Sequence, residues 1–154
     1  MFKLLSDLNL VNRFDADAAS QVLASGVSGS WVCYKSSGKV DFPESVAEAN
    51  GAFMVWTESD RDGTGGKFTP DVTETSKLSI LSGAGLRGIT DQVASYGGTS
   101  VGSLLYADTA GKLAVVATGT GAQVAAAVAV CTKKHSSLTV LGTTFNSCIE
   151  FITK

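Results

Sequence analysis

Short apolar runs separated by glycine-containing polar turns are the feature that most constrains the fold of this 154-residue chain. Residues 31–34 (WVCY), 53–56 (FMVW) and 104–107 (LLYA) are rich in residues that favour extended backbone. The turns at 35–39 (KSSGK) and 108–112 (DTAGK) both end in Gly-Lys and are typical of β-hairpins. The sequence therefore predicts an all-β fold, with a small β-sandwich or barrel-like body.

The later part of the chain continues this pattern. We expect strands at 77–83 and in four segments after residue 102, namely 103–117, 122–134, 136–143 and 147–154. The alanines of 122–130 would suit a helix, but Val124, Val128 and Val130 in so short a run favour a strand. We expect irregular backbone with a polar turn around Asp91, and a second polar turn at His135.

The N-terminal residues differ from this body. Several of their apolar residues recur at helical spacing, which suits a short amphipathic turn: Leu4, Leu5, Leu8 and Val11. We expect residues 1–29 to form an extended arm or linker that orders against its own domain or a neighbour. Residues 30–154 then form the β body. This body is either one unit or two lobes, at about 30–77 and 78–154. Deleting residues 2–25 is expected to leave a body that still melts cooperatively.

Composition limits the function classes. A formal net charge of −2 argues against binding of nucleic acid, which needs a basic face. Charged residues make up only 17%, fewer than a freely diffusing enzyme usually carries, which indicates a surface that a partner covers. No signal peptide is predicted, because residues 1–15 have no long apolar core before their charges. No membrane span is predicted, because no apolar run approaches the roughly 18 residues that a span needs. Cys33, Cys131 and Cys148 are odd in number and lie among apolar residues, so we expect buried, reduced thiols and assembly in a reducing cytoplasm.

Two glycine-rich stretches resemble ligand loops. A phosphate loop is not predicted at Gly111-Lys112, because Leu113 follows where Ser or Thr is needed and Tyr106 replaces the first glycine. Residues 58–69 resemble a calcium loop through its first, third, fifth and sixth positions: Glu58, Asp60, Asp62 and Gly63. The closing glutamate is replaced by Thr69, so a solvated acidic turn is the simpler interpretation. No metal or cofactor site is predicted.

Catalytic patterns are equally weak. His135 is the single histidine, and its neighbours Ser136 and Ser137 are too close in sequence to form a nucleophile–base pair without unusual geometry. No enzyme is predicted. A stacking platform for sugars is an alternative use of Trp31, Trp56 and Tyr34, but both tryptophans lie in apolar strands and suit a core better.

The second half of the chain, residues 78–154, resembles the capsid decoration (cement) proteins of tailed bacteriophages. The motifs that carry the resemblance are residues 81–86, Thr90-Asp91-Gln92, 102–106, Gly111-Lys112-Leu113, 124–130 and 149–152. The resemblance implies a non-enzymatic virion protein that binds the major capsid protein on the outer head surface and bridges capsid subunits. It implies neighbouring copies of itself as further partners, as a dimer or trimer, with no nucleic acid or membrane as partner. Assembly would take place in the host cytoplasm.

The resemblance also implies an arm that reaches a neighbour on the lattice. The candidate capsid contacts are then the large apolar residues of the arm: Phe2, Leu4, Leu5, Leu8, Leu10, Val11 and Phe14. Two other functions remain open. A tail or neck component would share the same composition, and a carbohydrate-binding or adhesion module would use the tryptophans and the 58–69 loop.

Overall fold

The computed structural model describes residues 2–5, 12–55, 77–118, 120–140 and 142–154. It is mostly β, which confirms the predicted all-β class. The described elements, in chain order, are β1 (Phe2–Leu4), β2 (Asn12–Asp17), α1 (Ser20–Ser25), β3 (Trp31–Tyr34), β4 (Val40–Asp41), β5 (Phe53–Val55), β6 (Lys77–Ser82), β7 (Arg87–Thr90), β8 (Leu104–Ala107), β9 (Leu113–Val115), α2 (Gly121–Ala125), β10 (Ala127–Val140) and β11 (Thr143–Thr153).

The strands form two antiparallel sheets. The larger sheet has the order β1-β7-β11-β10-β8-β9, and the smaller sheet has the order β2-β6-β5-β3-β4. Apart from β1, the larger sheet comes from the chain after residue 86 and the smaller sheet from the chain before residue 83. The division of the chain between the two sheets thus lies near the boundary proposed for two lobes.

The smaller sheet curls until its two edges meet. Ala18, just after β2, forms a parallel bridge with Val40 of β4, and the Ala19 amide donates to the Val40 carbonyl at 2.9 Å. Helix α1 covers the resulting opening, and its Val22 side chain is fully buried. Val22 packs with apolar side chains of the curled sheet: Ala16, Ala18, Val32, Val40, Phe42, Val55, Leu78 and Ile80.

The two sheets share one apolar core. Trp31, Met54 and Leu81 of the smaller sheet pack with Leu105 and Phe151 of the larger one. The rings of Trp31 and Phe151 meet edge to face, with 6.2 Å between their centroids and 62° between their planes. Burial of these large side chains, each worth about 1.5–3 kcal/mol, holds the sheets against each other.

The described parts of residues 1–29 lie within this body. Strand β1 pairs with β7, and β2 pairs with β6 along its whole length. Phe2 is 1% exposed and packs on Phe151, close to Gly29 and Gly88. Deletion of residues 2–25 would remove one strand from each sheet and the helix that covers the smaller core.

Local turn chemistry gave correct predictions for both hairpins. Gly38 (φ +80°) lies in the β3–β4 turn and Gly111 (φ +69°) in the β8–β9 turn, and both adopt the left-handed backbone that glycine tolerates best. Strands β5 and β6 also form where they were expected. The irregular stretch before Asp91 instead contains strand β7, and Phe2–Leu4 is a strand where an amphipathic turn was considered.

Two expectations about the C-terminal part are wrong. Residues 121–125 form helix α2, because alanine favours a helix and the Gln123 side chain accepts from the Ala117 amide at 2.7 Å. The expected turn at His135 is also wrong. Strand β10 runs without a break through His135, because β11 pairs with it on both sides of that residue.

Candidate interaction surface

A two-stranded ribbon extends from the larger sheet. Strands β10 and β11 pair as far as Val140 and Thr143, whereas β8 pairs with β10 only to Val130 and β7 pairs with β11 only from Ile149. Residues 132–140 and 142–147, which we call the ribbon, therefore run past the strands that flank β10 and β11. The sequence predicted strands at 136–143 and 147–154 but no such extension, because it depends on pairing between distant segments.

The outer part of the ribbon is uncharged. Residues 136–147 contain no Asp, Glu, Lys, Arg or His. Among the described residues there, the exposed side chains are small hydroxyls and one amide: Ser136, Ser137, Thr139, Thr144, Asn146 and Ser147. The hydroxyl oxygens of Thr139 and Thr144 lie 2.9 Å apart across the two strands. Small neutral side chains lose little entropy and no charge hydration on contact, so this surface suits burial against a partner.

A charged cluster fixes the base of the ribbon. The Glu150 carboxylate is nearly buried and lies 2.9 Å from His135 Nε2 and 3.5 Å from Lys133 Nζ. Lys134, on the same strand, donates from Nζ to the Thr99 carbonyl and lies 4.5 Å from the centroid of the Tyr96 ring. A carboxylate with this little water contact depends on its partners, so the cluster holds β10 and β11 in register at the base.

Apolar packing ties the ribbon to the sheet as well. Phe145 and Cys148 of β11 are fully buried and form a separate cluster with Ile89 of β7. Leu138 and Val140 of β10 are partly buried against the same cluster. The ribbon therefore has an anchored apolar side and a neutral, hydroxyl-rich exposed side.

The predicted capsid contacts lie in different environments. Phe2 is buried in the main core and Leu4 packs against it, which leaves Phe2 no surface for a partner in this conformation. Leu5 is 41% exposed, and its amide donates to the Arg87 carbonyl at 2.8 Å. The other predicted contacts fall outside the described part of the chain: Leu8, Leu10, Val11 and the side chain of Phe14.

The three thiols are buried and unpaired, as predicted. Burial raises the pKa of Cys33, Cys131 and Cys148, which keeps each thiol protonated and poorly nucleophilic at neutral pH. Cys148 lies opposite His135 across the β10–β11 pair, and His135 contacts Glu150. A thiol, an imidazole and a carboxylate are residue types that occur together in catalytic sites. Cys148 is fully buried, however, so a substrate cannot reach its thiol.

A second ion-pair cluster joins β3 to the loop after β4. Lys35 Nζ donates to the Glu48 carboxylate and lies 3.4 Å from Glu44 Oε1. The hydrogen bond from Lys35 lowers the pKa of Glu48. Burial works against the charge on Lys35, but its hydrogen bonds to both carboxylates raise its pKa above the ordinary value. Each group is satisfied by the others, so the cluster stabilises the loop.

The remaining candidate ligand sites gain little from the structure. The 58–69 loop and Trp56 lie outside the described residues, and Trp31 is buried in the core as predicted. Within the described ranges, no three His, Cys, Asp or Glu side chains are grouped to hold a metal ion. A cavity of about 330 Å³ opens between the sheets, and Lys154 is the one titratable residue among its described walls. No helix in the described part is long and apolar enough to cross a membrane.

Comparison with known proteins does not assign the chain to a family. No protein-family model, no curated protein and no solved structure matches it. The ribbon is therefore identified as the candidate interaction surface on geometry and side-chain chemistry alone.

Proposed function

We propose that this protein decorates the outer surface of a bacteriophage head, where it binds the major capsid protein and stabilises contacts between neighbouring capsid subunits. The ribbon is the observation that supports the proposal most strongly. Its outer part, residues 136–140 and 142–147, is an uncharged extension of an all-β body, and the exposed side chains there suit contact better than chemistry. The segment that resembles decoration proteins, residues 78–154, contains the ribbon and the strands β7–β11.

The dimensions of the ribbon suit a bridging role. Residues 132–140 span roughly 26 Å at about 3.3 Å per residue, so the ribbon can reach across a boundary between subunits. Each copy offers small neutral contacts that bind weakly one at a time. Binding of many copies to a repeating lattice stabilises the shell through the sum of such contacts.

Co-sedimentation tests the proposal. The full chain is mixed with empty expanded heads, assembled from the major capsid protein encoded nearest to this gene, and the pelleted fraction is measured against concentration. We expect saturable binding to heads. The proposal is overturned if the chain stays in the supernatant, and binding to isolated tails alone would support a tail or neck component instead.

Paired variants test the role of the ribbon. The variant T144K/N146K places two ammonium groups on the exposed side of the ribbon, and we expect it to bind heads about tenfold more weakly, which is about 1.4 kcal/mol. The matched control is S36K/S37K, which adds the same two charges at exposed positions of the β3–β4 turn. Equal binding by the two variants would argue against the ribbon as the contact surface.

A further inference from the structure

The edge strands of a β-sheet carry unpaired backbone groups. Natural proteins usually protect these edges with short strands, charges, bulges or covering segments. The four edge strands of the two described sheets are protected in these ways. Strands β1, β4 and β9 have three, two and three residues. Strand β9 is also covered by a bridge from Val93 to Leu113, and β4 by the bridge from Ala18. Strand β2 presents the exposed charges of Asp15 and Asp17.

Among the described residues, the outer edge of β10 in the ribbon shows none of these protections. From Ser136 to Val140, no described strand pairs with β10 on the side away from β11. The stretch contains no charge and no proline, and the irregularity of β10 lies earlier, between Cys131 and Lys133. The opposite edge of the ribbon differs, because Ser147 of β11 has a left-handed backbone (φ +51°) that interrupts it.

We propose that residues 136–140 of β10 are a self-association strand, which pairs antiparallel with the same residues of a second copy about a twofold axis. An antiparallel pair of identical strands is self-complementary, so a single sequence provides both sides of the contact. A register centred on Leu138 sets Ser137 opposite Thr139 of the partner subunit, and hydroxyl pairs of this kind stabilise neighbouring strands. The absence of charge in the stretch means that the twofold axis brings no like charges together.

The expected dimer is weak. Two short strands bury less surface than the roughly 1,200 Å² at the lower limit of stable interfaces, so dissociation constants in the micromolar range are expected. The inference does not depend on capsid binding, because it concerns the protein alone. Sedimentation equilibrium of the full chain from micromolar to millimolar concentration measures the association without heads.

A matched pair of variants tests which strand mediates the contact. S137K/T139K places ammonium groups on the β10 edge, where each lies opposite its counterpart at about 4.8 Å strand spacing. T144K/N146K adds the same charges on β11. The two β11 strands of the dimer lie about three strand spacings apart across the axis, or roughly 14 Å, so salt screens their charges from each other. Thr139 and Thr144 share one hydroxyl contact, so both changes remove it.

We expect S137K/T139K to raise the dissociation constant at least about tenfold and T144K/N146K to change it less than about threefold. A wild-type chain that stays monomeric throughout would overturn the inference. So would equal dimerisation by S137K/T139K and wild type, or equal weakening by both variants. Far-ultraviolet circular dichroism and a cooperative melt establish that each variant is folded. If S137K/T139K does not fold, T139K with T144K as its control makes the same comparison.

Discussion

Replacement of Gly111 by alanine tests the interpretation of the glycine-rich stretch 104–124 as structural. Gly111 has φ +69°, and its carbonyl accepts from the Trp31 amide at 2.8 Å. A Cβ at this position would lie 2.6 Å and 2.7 Å from two ring carbons of Phe42 and 2.9 Å from the Trp31 carbonyl oxygen. The β8–β9 turn of the larger sheet thus rests directly on residues of the smaller sheet, with no room for a side chain.

The cost of the alanine follows from two contributions. Left-handed backbone costs a non-glycine residue about 1–2 kcal/mol. Displacing a packed ring and a backbone oxygen adds about 1–3 kcal/mol, as in other overpacked cores. The total loss in the free energy of unfolding is about 2–5 kcal/mol. For a chain of this length, that loss lowers the melting temperature by roughly 10 °C.

Urea unfolding followed by tryptophan fluorescence, with thermal melts in parallel, measures this loss. Gly102→Ala is the matched control, because Gly102 has φ +86° but a Cβ there would meet nothing within 4 Å. The control is therefore expected to lose only the backbone contribution, about 1–2 kcal/mol. If Gly111→Ala and Gly102→Ala lose the same stability, the close approach of the turn to Phe42 and Trp31 is refuted.

Three further predictions concern the N-terminus, pH and the thiols. F2A should lower the free energy of unfolding in urea by about 3–5 kcal/mol, because Phe2 is buried. L5A, at an exposed position, should lower it by less than about 0.5 kcal/mol. Equal losses would contradict the packing of β1. Because the pKa of Glu48 is lowered in the folded protein, its ion pair with Lys35 stabilises the fold at pH values above the ordinary carboxyl pKa of 4.5. This stabilisation is lost as the pH falls through the lower pKa that Glu48 has in the folded state. E48Q should therefore melt below wild type at neutral pH, and a difference that persists in strong acid would contradict the pairing. The buried thiols should react with a disulfide reagent only after denaturant is added, and rapid labelling of the native protein would contradict their raised pKa values.

The sequence supported predictions wherever the determinants were local. Gly38 and Gly111 mark hairpins because a two-strand turn needs left-handed backbone at a fixed place in the chain. The apolar surroundings of Cys33, Cys131 and Cys148 correctly indicated buried thiols. These features depend on residues within a few positions of each other.

Predictions failed where distant pairing decided the structure. The polar residues around His135 suggested a turn, but Glu150 on the adjacent strand is the partner that keeps them in β10. Phe2 lies in the segment expected to be an arm that orders against its own domain or a neighbour, and its burial against its own domain depends on the space above Gly29 and Gly88, far along the chain. The sequence shows one feature of the ribbon, the uncharged stretch from residue 136 to residue 147. The extension of the ribbon past β7 and β8 follows from strand register alone.

We propose that the protein binds the outside of a phage head. Electron cryomicroscopy of empty expanded heads incubated with the purified chain tests it most directly. We expect added density on the outer surface over the contacts between capsid subunits, with the ribbon directed at the shell. Heads that carry no added density at saturating protein, or density confined to the tail or neck of complete particles, would contradict it.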